Sequence, residues 1–100
     1  MPSFRVQLEI GALRPGVAPD RVLSAAADAA AEFAEVEASD LAVVAGAPRA
    51  IVRFAIDDPE LADQVASQVV TRTAALAEVR RWSLTRRERG QWVPAAPHRA

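Results

Sequence analysis

A chain of 100 residues, 51% apolar and 25% charged, has room for one folded domain with a modest core and is too apolar for generic disorder. It has no cysteine, which excludes disulfides, thiolate nucleophiles and thiolate metal sites. The formal charge of −1 conceals an uneven distribution: residues 79–100 hold six of the twelve arginines against one acid, Glu88, and residues 1–78 hold the other six against twelve acids.

The elements follow from periodicity. Phe4, Val6, Leu8 and Ile10 alternate with Arg5, Gln7 and Glu9, the two-residue period of a strand with one buried face. Gly11 to Pro19, with two glycines and two prolines, reads as a loop. From Pro19 the spacing changes to Val22, Ala26, Ala29 and Phe33, an amphipathic helix with Pro19 and Asp20 in its first turn. Val36 to Ala45 is less regular. Leu41–Val44 is expected as a strand, with a bulge or turn near Ser39–Asp40, and Gly46 to Arg49 as the hairpin connection. Ala50, Val52, Phe54 and Ile56 alternate again as a third strand. Asp58-Pro59-Glu60 opens a second helix, with Asp58 as cap and a buried stripe of Leu61, Val65, Val69 and Leu76. Val79 to Arg87 is the last expected strand, with Trp82 and Leu84 on one face and Arg81, Ser83, Thr85 and Arg87 on the other.

This order predicts an α+β protein in which two helices cover one side of a sheet. It resembles the ferredoxin-like βαββαβ two-layer sandwich with a four-stranded antiparallel sheet, over about residues 3–88. Residues 1–90 are expected as one domain and 91–100 as a C-terminal tail. The topology hosts enzymes, regulatory domains and nucleic-acid binders alike, so function has to come from side chains. Alanine supplies 23 of the 51 apolar residues and buries little area, so the larger side chains must define the core.

Catalytic chemistry finds little support in the residue pattern, and no catalytic, cofactor or metal residue is assigned. His98 is the single histidine and falls in the terminal tail. Asp57, Asp58 and Glu60 read as a strand end and helix cap, and Asp28, Glu32 and Glu35 as a solvated helix face. Gly11 to Gly16, with Arg14 between, lacks the spacing of a phosphate loop and reads as an ordinary crossover, with a small anion at Arg14 as the alternative.

Two surfaces remain. An apolar patch of Leu41, Val43, Ala45, Ile51 and Ala55 is expected on the open sheet face if the second strand takes the register that turns Leu41 and Val43 outward. With Arg53 at its rim, and Trp92 and Val93 in a tail that joins a partner's sheet edge or folds back on its own domain, it forms the candidate protein interface. The basic final segment, Arg81, Arg86, Arg87 and Arg89, is the candidate nucleic-acid surface. Against it, Phe4, Phe54 and Trp82 fall in the inward register, whereas a sheet that reads single strands displays aromatic rings on its open face. The expected function is therefore a non-enzymatic homo-oligomeric adaptor or regulatory module, a homodimer or a partner of another protein, with nucleic-acid binding as the alternative. No run approaches the roughly 18 apolar residues of a membrane span, and the alternating start is unlike a leader. A cytoplasmic protein with no membrane partner is expected.

Overall fold

The computed structural model describes residues 1–95, so His98 lies outside the described residues. Five strands and two α-helices follow one another as β1 (Ser3–Leu13), α1 (Pro19–Ala31), β2 (Glu35–Val44), β3 (Ala47–Ala55), α2 (Ala62–Ala74), β4 (Ala77–Glu88) and β5 (Gln91–Pro94), with a 3-10 turn, Pro59–Leu61, leading into α2. The sheet runs β2-β3-β1-β4-β5 and every neighbouring pair is antiparallel. The βαββαβ order is as expected, but the sheet has five strands and not four. Its fifth strand comes from residues assigned to the tail: Arg89 and Gly90 take φ of 50° and 79°, so the chain reverses in two residues and pairs Glu88 with Gln91 and Thr85 with Pro94. Left-handed conformation at both central positions matches the twist of paired strands.

One face of the sheet is packed. Phe4, Val6, Leu8 and Ile10 of β1, Ala50, Val52 and Phe54 of β3 and Leu84 of β4 meet Val22, Ala26, Ala29 and Ala30 of α1 and Ala62, Val65, Ala66 and Val69 of α2. Phe4 and Phe54 stack with ring centres 5.8 Å apart. Each such buried Val, Leu or Phe contributes about 1.5–3 kcal/mol relative to exposure, and the alanines let both helices lie close to the strands. Asp58 Oδ1 accepts from the Glu60 amide at 3.0 Å and Pro59 begins the turn, the cap the sequence implies.

The differences lie at element ends. β1 continues through Gly11 to Leu13 by two irregularities against β4, where a loop is expected from composition. α1 stops at Ala31, so Phe33 falls in the following turn and is 51% exposed instead of completing the buried stripe. Leu61 lies in the 3-10 turn and is also exposed. The β2–β3 turn is Ala45–Gly46, with φ of 52° and 80°, one step before the expected Gly46–Arg49 connection. The bulge of β2 lies between Val36 and Ala38, three residues before Asp40, and it decides which side chains reach which face.

Candidate functional site

Side chains paired directly across antiparallel strands share a face. On the face away from the helices, β1 presents Arg5, Gln7 and Glu9; β3 presents Arg53 and Ile51; and β4 presents Thr85, Ser83 and Arg81 opposite them. β5 adds one ring: Trp92 pairs with Arg87 and so joins this face, not the core. The guanidinium carbons of Arg5, Arg53 and Arg87 lie 4.7, 5.4 and 5.4 Å from the centre of the Trp92 ring. Each contact of this kind contributes about 0.5–1 kcal/mol in a solvated setting, offset by repulsion among the three cations.

Hydrogen bonds order the cluster. Ser3 Oγ donates to Glu37 Oε1 at 2.8 Å and Arg53 Nε donates to the same oxygen at 2.9 Å. These hold the Glu37 carboxyl below the usual carboxylate range, the Ser3 bond contributing most and the Arg53 bond and charge next. With its amide oxygen turned towards β1's first arginine, Gln7 accepts from Arg5 Nε and Nη2 at 3.2 and 3.1 Å. Burial, followed by the charges of Arg53 and Arg87, makes Arg5 easier to deprotonate than an ordinary arginine. Among the described residues neither Arg5 nor Arg87 has a carboxylate within 4.0 Å; the ion pairs go instead to Arg53, Arg72, Arg80, Arg81 and Arg86. A shallow hollow of about 170 Å³ opens between Trp92, Arg5, Arg53, Ile51 and the Ala38–Asp40 stretch of β2.

The basic segment is divided among surfaces. Arg81 reaches Glu9 at 3.7 Å on the open face, and Arg87 joins Trp92 there. Arg86 turns to the helix side, 5.8 Å from the Phe4 ring, and Arg89 is exposed at the β4–β5 turn. Arg5 enters the cluster from the other end of the chain; its alternation marks it as outward, but nothing local shows that a ring will reach it.

The expected apolar patch is divided as well. Because Glu37 is the extra residue of the bulge, Val36 pairs with Phe54 while Ala38 pairs with Arg53, and every later side chain of β2 changes sides. Leu41 then pairs with Ala50 and Val43 with Pro48, on the helix side, opposite to Ile51 and Arg53. α1 does not cover them: Leu41 is 42% exposed and Val43 73%, with Val44 at 42% on the other face. β2 is an edge strand, and eight of its ten residues are exposed. Val93 also faces the helix side, opposite Arg86, in a groove with Phe4 and Pro59.

Arg14 lies against the end of α2, where Nη2 donates to the Ala74 carbonyl at 3.1 Å and its amide to Leu76 O at 2.8 Å, so the first crossover is tied to a helix C-terminus. Among the described residues no group of three or more His, Cys, Asp or Glu is placed to hold a metal ion, and no helix is long and apolar enough to cross a membrane. No protein-family model matches the chain, and neither a curated protein nor a solved structure is significantly similar to it.

Proposed function

We propose that the protein is a non-enzymatic, cytoplasmic interaction module, an adaptor or regulator, that works as a homodimer joined through β2. The observation that supports this is the exposed half of that edge. Leu41–Val44 is free of charge and proline, exposes three large apolar side chains, and ends a sheet whose opposite edge is a four-residue strand closed by Pro94. An exposed apolar edge is a template for another strand, and stable monomers protect such edges with charge, proline or brevity.

Facing parity selects the pairing. In an antiparallel β2–β2 contact with the two-fold axis perpendicular to the sheet, a residue on the helix side must meet one on the helix side. Centring the contact on Ala42 sets Leu41 against Val43 of the second copy and Val43 against Leu41, a four-residue apolar cluster next to the helices. Asp40 then faces the second copy's Val44 and avoids an acid. One strand pair buries less than the usual stable interface of about 1,600 Å², so monomer and dimer exchange with concentration.

The absence of cysteine makes the test clean. Ala42→Cys places one thiol at the two-fold axis, at a separation of about 4.5–5.5 Å between Cα atoms that a disulfide spans. Mild oxidation should yield a covalent dimer, and light scattering of the wild type should show mass rising with concentration while Val43→Asp stays monomeric. A wild type that is monomeric throughout, or a dimer that Val43→Asp leaves intact, overturns the reading.

A further inference from the structure

The open sheet face is a second surface, distinct from the β2 edge, and it differs in chemistry. Its centre is one ring with three guanidiniums around it, and among the described residues only Arg53 of the three has an ion-paired carboxylate, Glu37. We propose that this face binds single-stranded nucleic acid, with phosphates held by Arg5 and Arg87 and a base stacked on Trp92.

Three features select this occupant. The first is charge: Arg5 and Arg87 lack acidic partners among the described residues, and mutual repulsion within the cluster falls when an anion enters between them. A second copy of the same face brings like charges together and is disfavoured. The second is the ring. Trp92 is part-buried among the three guanidiniums, on a platform that also presents Gln7, Ser83 and Thr85, so a base that displaces one guanidinium towards its phosphate stacks on the ring with hydrogen-bonding groups beside it. The carboxylates of an acidic peptide would use the cations but gain nothing from the ring. The third is shape: a sheet face with a shallow hollow cannot enter a groove of a duplex, whereas an unpaired strand can lay its bases on it.

The test is fluorescence anisotropy with labelled oligouridylate and oligothymidylate at low salt, on the full chain. Binding should weaken with salt at a log–log slope of about −1.4, as expected for roughly two phosphate contacts on a single strand. Trp92→Ala should weaken it roughly tenfold, while Trp92→Phe keeps most of the affinity. Arg5→Gln and Arg87→Gln should each weaken it several-fold and flatten the salt slope, and because they leave the β5 ring in place they separate a lost contact from a lost strand. Absence of binding to either oligonucleotide overturns the proposal. So does affinity that all four variants leave unchanged, or equal competition by a duplex or by polyglutamate, which would reduce the surface to a non-selective polyanion contact. The readout is independent of mass: a monomeric protein that binds oligonucleotide retains this site while the β2 contact fails, and a dimer that ignores oligonucleotide does the reverse.

Discussion

Glu37 ties three parts of the molecule together. It is the bulged residue of β2, the acceptor for Ser3 near the start of β1, and among the described residues the one carboxylate ion-paired to an arginine of the Trp92 cluster. Its native pKa is lowered, so unfolding takes up a proton as the pH falls. The stabilisation from Glu37 is therefore fully present above the ordinary value of 4.5 and is lost as the pH drops through the depressed native value. Because both partners are about one-third exposed, the contribution is that of a surface pair, at most about 1 kcal/mol. Glu37→Gln should lower the melting temperature by a few degrees at neutral pH, and the gap should narrow in acid below the ordinary carboxylate value. Melting curves of both proteins across that range check it, and a gap independent of pH would show that the side chain acts through packing alone.

Two turns decide what the elements can do, and both pass a non-glycine residue through left-handed backbone: Ala45 before Gly46, and Arg89 before Gly90. Neither pair has the Asn-Gly or Asp-Gly signature that marks a two-residue hairpin in a sequence, which is why the first turn is displaced by a residue in the expectation and the second is missing from it. The strands of the core were legible because burial on one face imposes alternation, as in Phe4–Ile10 and Ala50–Ile56. β2 was legible only in its Leu41–Val44 half, since it is exposed on both faces and nothing imposes alternation there; the bulge, at Glu37 and not near Ser39–Asp40, then reverses the face of Leu41 and Val43. Trp92 was recognisable as an outlying aromatic, but its place beside Arg5 and Arg53 depends on long-range pairing that no local pattern contains. Gly90 offers a test at this scale. A Cβ there meets nothing within 4 Å, so Gly90→Ala acts through its φ of 79° alone, at a cost of roughly 1 kcal/mol. The loss should fall on the β4–β5 hairpin: hydrogen exchange at Gln91–Val93 should quicken and tryptophan emission shift to the red, while the amides of β1 and β3 stay protected. Arg89→Asn, better suited to the left-handed region, should slow exchange in β5. Unchanged β5 exchange in both variants would mean that the strand is held by Trp92 and Val93 and not by its turn.

At the scale of the whole molecule the two proposals have a joint consequence. β2 and β5 are opposite edges, so a contact through β2 leaves both β5 strands free and extends the sheet to ten strands. With the two-fold axis perpendicular to that sheet, both pairs of helices lie on one side and both Trp92 clusters on the other. Arg5 of one copy and Arg5 of the next are separated by five strand spacings, about 24 Å, across the sheet. The axis at Ala42 is level with Glu9, so they also lie about 27 Å apart along the strands. The combined distance of about 36 Å is roughly eleven nucleotides at a stacked rise of 3.4 Å. An oligonucleotide long enough to cross that distance engages two sites at once, and the second contact forms at high effective concentration. Affinity should then rise steeply once oligonucleotide length passes the spacing, and Val43→Asp should abolish the rise while leaving affinity for short oligonucleotides unchanged. Trp92→Ala should do the converse, lowering affinity at every length with the dimer mass intact. If Val43→Asp keeps the length dependence of the wild type, the two faces are not joined through β2, and a long strand is instead followed along a single sheet.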